Sequence, residues 1–264
     1  MARTRSPASG ARRRARAHLH RDVVPGVHRL ELAHVNSYLI ADGDSVTVVD
    51  AGLPAMWQPL HQALAAIGSS PDRVAALVLT HAHFDHLGCA RAIAERWRVP
   101  VWAHIADHEL ARQPYRYAHE RPRALYPIRS PRAVPILGAM LAAGALRVPH
   151  VTGLRSLEPG MTLPVPGLPT VLFTPGHTYG HCALVLEDRD AVLSGDAVVT
   201  LDPYTARVGP RIVAGAATAD SDLNLRSLEG IAESGVGTVL PGHGEPWRAG
   251  ARAAVAQARM TGPS

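Results

Sequence analysis

Short apolar runs, each closed by a glycine, a proline or an acid, recur along this chain. They alternate with longer stretches whose apolar residues return every three or four positions, so the first kind predicts strands and the second helices. Residues 27–32 alternate like an exposed strand. Residues 36–41 and 45–50 flank Asp42-Gly43-Asp44, a hairpin signal. Trp57, Leu60, Leu64 and Ile67 share one face of a helix over 54–67, with Pro59 disturbing its middle. Residues 74–80 read as a buried strand, and Ala90, Ile93, Ala94 and Trp97 mark a helix after it. A strand over 99–103 and a short helix over 105–112 follow. Further strands are expected at 170–174, 182–187, 191–193 and 237–240, and helices at 220–233 and from about residue 249.

The pattern degrades between 113 and 149. Prolines are frequent there, Tyr115, Tyr117 and Tyr126 are interleaved with arginines, and 136–146 is apolar nearly all round, so as a helix it needs cover. We read 113–149 as a helical insertion that forms a lid or pocket wall. An ordinary helical connection, or a homodimer interface made by the same apolar helix, is the alternative.

Composition narrows the picture. The chain has 264 residues and is 47% hydrophobic, enough for one large domain or two small ones. No apolar run is long enough to span a bilayer. The net charge of +5 would suit an acidic partner, but every basic residue is arginine and many crowd into the first 21 positions. That stretch has no apolar core after its arginines, so it is not a secretory signal. We read 1–21 as a disordered basic tail, with a nucleic-acid arm as the alternative, and 22–264 as a single domain. Cys89 and Cys182 follow no metal or redox spacing and read as small core residues of a cytoplasmic protein.

The chemistry concentrates in His81-Ala82-His83-Phe84-Asp85-His86, a turn between a strand and a helix. Imidazole suits zinc, iron and other borderline metals, and carboxylate binds zinc or harder ions. His177, Asp196 and His243 follow later strands, each beside glycine, which permits close approach. Asp50 ends an earlier strand, where an acid serves as a helix cap or orients a site. His104, His108, His119 and His150 fall outside the pattern.

The order of these ligands resembles the metallo-beta-lactamase superfamily of metal-dependent hydrolases. The resemblance runs from about residue 23 to 256 and includes Val49-Asp50-Ala51-Gly52, the turn from Thr80 to His86, Thr174-Pro175-Gly176-His177-Thr178, Ser194-Gly195-Asp196 and Pro241-Gly242-His243-Gly244. It implies an α/β (α+β) fold, a four-layer αββα sandwich of two mixed sheets with flanking helices. It implies two divalent metal ions, Zn2+ first, with Mn or Fe as alternatives. His81, His83 and His177 would hold one, Asp85, His86 and His243 the other, and Asp196 would bridge them. Asp50 would orient the site, and His181 would support it or be merely structural. The implied reaction is attack of a metal-bound hydroxide on an ester-, thioester-, lactone- or amide-type bond of a small molecule, with Asp85 also accepting a proton.

Departures from relatives narrow this further. Asp196 argues against antibiotic hydrolysis, because the zinc beta-lactamases generally lack an acid there. His83 replaces an acid of the flavodiiron proteins. Few residues follow His243, which leaves no room for the helical substrate domain of glyoxalase-II-like thioesterases. Quorum-quenching lactonases place a tyrosine soon after the bridging acid, whereas the nearest here is Tyr204. A nuclease or phosphodiesterase on the same site, and a mononuclear iron oxygenase of the same fold, stay as alternatives. No membrane partner is expected.

Overall fold

The computed structural model describes residues 16–264. Most of the predicted basic tail therefore lies outside the described residues. Its expected end at residue 21 is corrected, because strand β1 (His18–Val24) begins earlier and pairs with β2 (Val27–Leu32). Two histidines and an arginine within β1 conceal it from an apolar-run search.

The first sheet follows chain order: β1, β2, β3 (Val35–Asp42), β4 (Ser45–Val49), β5 (Val74–Val78), β6 (Val101–His104) and β7 (Arg155–Leu157). Pairing is antiparallel through β4 and parallel from there to β7. The β3–β4 turn places Asp42 opposite Ser45, so the predicted hairpin closes with two residues, one being Gly43 at φ +55°. The second sheet has the order β13 (Thr238–Pro241), β10 (Ala191–Gly195), β9 (Cys182–Leu186), β8 (Thr170–Phe173). A two-stranded ribbon of β11 (Val199–Leu201) and β12 (Val208–Arg211) stands apart. The ribbon and β7 are too short to show an alternation, and neither was expected.

Alternate side chains explain why the central strands read as continuous apolar runs. In β4 and β5, Val48 and Leu77 face a helical layer while Val49 and Val78 face the other sheet. In β9, β10 and β13, Leu184, Leu193 and Leu240 face inward, and Val185, Val192 and Val239 face a second helical layer. Both faces of each sheet are thus buried at its central strands, which gives the expected helix–sheet–sheet–helix order.

The first helical layer contains α1 (Trp57–Ala66), α2 (Phe84–Leu87) and α3 (Ala90–Ala92), the last continuing as a π-turn over Ile93–Trp97. Pro59 lies in the first turn of α1, where its missing N–H costs little. After β6 come α4 (His108–Arg112), α5 (Tyr126–Arg129) and α6 (Val134–Ala142). The apolar helix α6 is only half covered: Ile136 and Met140 enter the core, while Val134 and Leu141 are exposed. The second layer has α7 (Ser221–Ser227), α8 (Glu229–Glu233) and α9 (Ala251–Thr261). The single helix expected at 220–233 is broken at Leu228. Both cysteines are free and buried, as expected. Among the described residues no helix is long and apolar enough to cross a membrane.

Candidate metal centre

Four segments at the ends of strands from the two sheets converge on one buried point. After β5 the chain runs through Thr80 to His81 and His83 and into α2, whose first turn carries Asp85 and His86. The loop between β8 and β9 brings His177. The ends of β10 and β13 bring Asp196 and His243. His81, His83 and His177 offer ligand atoms within 4.8 Å of one another, and so do Asp85, His86 and His243. The Asp196 carboxylate stands between the two groups, 3.5 Å from His86 Nε2, 3.5 Å from His177 Nε2 and 3.2 Å from His243 Nε2.

The hydrogen bonds behind the imidazoles decide which nitrogen each one presents. Thr80 Oγ1–H donates to Asp50 at 2.8 Å, so the 3.1 Å contact with His81 leaves His81 Nδ1–H as the donor. His86 Nδ1–H donates to Asp50 at 2.9 Å, and His243 Nδ1–H donates to the His34 carbonyl at 2.7 Å. Thr218 donates to the Val213 carbonyl, which leaves its oxygen to accept from His177 Nδ1–H at 3.4 Å. The Nε2 atoms of His81, His83, His86, His177 and His243, and Oδ1 of Asp196, are buried without a hydrogen-bond partner. Orphaned buried lone pairs are costly. The Asp196 oxygens lie 3.2–3.5 Å from the Nε2 atoms of His86, His177 and His243, a spacing that suits shared ligation, since metal bonds of about 2.0–2.1 Å in tetrahedral geometry put ligands about 3.3 Å apart.

Electrostatics divides the cluster. Burial, reinforced by neighbouring imidazoles, holds His81 and His177 well below the ordinary histidine range. Burial takes His83 down to about 4. For His86 burial also opposes charge, but Asp196 and Asp50 outweigh it and push it up to about 9. His243 is raised in the same way, against burial, by Asp196 and Asp85. Burial would raise Asp196, yet His243 and His86 hold it well below the usual carboxylate range. One half of the cluster is therefore neutral and ready to ligate, and the other carries its acids' charge.

Asp50 anchors the arrangement from a left-handed backbone at φ +58°, gripping Thr80 N–H at 2.8 Å, its hydroxyl and His86. His181 lies among the other rings but presents no free nitrogen. Its Nε2 accepts from Asp196 N–H at 3.0 Å, and its Nδ1 faces Thr174 Oγ1 at 2.7 Å. It supports the Asp196 backbone, and burial takes it to about 3, so it stays neutral. Gly176, at φ +132°, passes the Asn224 backbone so closely that a Cβ would lie 2.1 Å from Asn224 N. This approach lets the His177 loop dock on α7.

Two residues of the site carried no sequence signal. Asp107 is buried between the His81 and His177 loops and accepts from Ala82 N–H, Thr178 Oγ1–H and Gly180 N–H at 2.8–2.9 Å. Burial raises it despite those bonds. In sequence it is one acid inside a short helical stretch. Tyr117 packs its ring 4.4 Å from that of His83, and its hydroxyl lies 3.4 Å from that of Tyr204. It was legible only as one of several tyrosines. A cleft of about 410 Å³ opens at His83 and His177 and runs between Tyr117, Gln113 and Arg116 to the surface.

Known proteins resemble this chain in sequence and in fold. The family model of the metallo-beta-lactamase superfamily matches residues 30–243. Probable metallo-hydrolase YflN of Bacillus subtilis (strain 168) is 31% identical over 188 residues, 69% of this chain and 67% of that protein. Probable metallo-hydrolase YqgX of the same organism is 28% identical over 62% of this chain, and the match spans 65% of its own length, just under two thirds. Among solved structures, the metallo-beta-lactamase family protein TTHA1429 from Thermus thermophilus superposes with a TM-score of 0.66 at 26% identity, covering 90% of this chain and 80% of that one. TTHA1623 in a di-iron-bound form gives 0.57 at 28% identity, covering 81% and 90%.

Proposed function

The chain belongs to the metallo-beta-lactamase superfamily, and from that premise we propose that this metallo-hydrolase uses two divalent cations to cleave an ester-, thioester-, lactone- or amide-type bond in a small molecule. His81, His83 and His177 would hold one cation and Asp85, His86 and His243 the other, with Asp196 placed to serve both. The observation that carries this reading is the set of buried Nε2 lone pairs and the Asp196 oxygen, aimed at each other with no partner. Zinc fits this donor set, as do manganese and iron. When bound, the two cations supply Lewis acidity and lower the pKa of a shared water towards neutrality.

The chain's own residues supply the rest. Thr80, Asp50, Thr218 and the His34 carbonyl hold the Nδ1 atoms of His81, His86, His177 and His243, so that Nε2 faces the cluster, and the raised His86 and His243 would release their protons on binding. Asp196 takes the position between the two ligand groups that sets their spacing. Asp85 Oδ2 lies 3.3 Å from His243 Nε2, and its carboxylate could also hold a proton during the reaction. The cleft over His83 and His177 has room for a small molecule and little more.

The test is elemental analysis of purified, metal-replete protein together with turnover on a panel of ester, thioester, lactone and phosphodiester substrates. Two metals per chain and turnover of a carbonyl substrate are expected. One metal or fewer would refute the dinuclear assignment, and phosphodiester turnover alone would refute the bond class.

A further inference from the structure

The 113–149 segment builds a second hollow beside the cleft. Phe84, Tyr117, Leu137, Met140 and Tyr204 enclose a cavity of about 260 Å³ with Arg123 in its wall. Tyr117 lines both hollows, its ring centroid 4.4 Å from that of His83, and Phe84 of the His81–His86 turn lines this one as well. The helix α6 forms its far side through Leu137 and Met140.

Arg123 is the one charged group in this apolar lining. Its guanidinium carbon sits 3.9 Å from the centroid of the Tyr117 ring. The sole hydrogen bond of that guanidinium among the described residues is a 3.5 Å contact from Nη2–H to the Tyr117 carbonyl. Nε is buried and has no partner, and Arg123 makes no ion pair among the described residues. The acid nearest in sequence, Glu120, is already committed to Ser221, accepting its N–H at 2.7 Å and its hydroxyl at 2.6 Å. A shielded guanidinium N–H without an acceptor is costly, and its planar fork matches a carboxylate. An apolar hollow with one such group has the lining of a site for a molecule with an apolar body and one anionic end.

We infer that the molecule processed here carries a carboxylate on an acyl or aryl body, with the body lodged under α6 and the carboxylate held by Arg123. That it is a substrate rests on the hydrolase reading above; that it binds here does not. The scissile bond then falls on the His83 side of Tyr117, and Tyr117 serves as the wall between reaction and recognition.

The experiment is calorimetric titration of the metal-loaded full chain with 4-phenylbutyrate and with its neutral counterpart 4-phenyl-1-butanol. Wild type, Arg123→Met, Arg123→Lys and Met140→Trp are compared, with metal content measured for each. Phenylbutyrate should bind wild type at least about tenfold more tightly than the alcohol, as a charge-assisted pair provides. Arg123→Met should erase that preference by weakening phenylbutyrate, and Arg123→Lys should retain part of it. Met140→Trp fills the hollow without touching the charge and should weaken both ligands. Equal binding of phenylbutyrate by wild type and Arg123→Met would mean that the carboxylate goes to the metals alone and would overturn the proposal. So would an absence of binding at millimolar concentration, or a Met140→Trp variant that binds both ligands as wild type does. Turnover of mono-p-nitrophenyl adipate and p-nitrophenyl hexanoate is followed in parallel. No turnover with Arg123-dependent binding intact would refute the hydrolase reading and leave this site standing.

Discussion

Gly242 offers a test of the metal centre that replaces none of the candidate ligands. It joins the end of β13 to His243, and its backbone lies outside the left-handed region, so alanine brings no conformational strain. A Cβ there would lie 2.1 Å from Asp196 Oδ1 and 2.8 Å from His86 Cε1. Ordinary contacts begin more than about 1 Å further out, so something must withdraw by that amount. The Gly242 backbone is held on both sides: its N–H donates to the Gly195 carbonyl and its carbonyl accepts from Asn36 N–H, each at 2.8 Å. The Asp196 N–H is likewise tied to His181. The displacement therefore falls on the Asp196 carboxylate and the His86 ring. Sites tolerate about 0.5 Å of ligand misplacement, and 1 Å can cost about a hundredfold in rate. We expect Gly242→Ala to lose the metal held by Asp85, His86 and His243, to retain the one at His81, His83 and His177, and to fall about a hundredfold in turnover. Overpacking should cost the fold only about 1–3 kcal/mol. Elemental analysis, a urea titration and steady-state rates read these three quantities. Two metals per chain with a rate within about twofold of wild type would refute the geometric argument.

Asp196→Ala should lower both metal occupancy and rate, whereas His181→Ala should keep most of its metal, because His181 presents no free nitrogen; elemental analysis separates the two. Asp107→Asn places an amide NH2 against donors that a carboxylate accepts, and should cost about 1–3 kcal/mol in urea unfolding for each buried group left unsatisfied. Gly138→Ala, in α6 with open space around it, should raise the urea midpoint by about 0.5–1 kcal/mol of stability. Burial pushes the Cys89 and Cys182 thiols up to about 12. Raising the pH from 7 to 9 leaves only about one thiol in a thousand ionised, so neither should react with a disulfide reagent until the chain unfolds.

The candidate ligand set was legible in the chain because metal ligation needs particular side chains, and strand ends closed by glycine advertise where they cluster. The His81–His86 turn, His177, Asp196 and His243 could each be picked out from local patterning, and the central strands from their apolar runs. The pairing of these ligands into two groups around Asp196 was inferred only through resemblance. Local pattern was silent where a contact spans the fold. Asp107 matters because it touches two loops far apart in sequence, and Tyr117 because the chain folds back over His83. The edge strand β1 and the β11–β12 ribbon are stabilised by pairing partners rather than by their own apolar periodicity. Whether Arg123 is a solvated charge or a shielded one cannot be read from its neighbours in the chain. That depends on Tyr117 beneath it and on Glu120 being occupied by Ser221, and only the tertiary structure brings those groups together. Residue type and period are local properties of a chain, whereas burial and the partner of a polar atom belong to the fold.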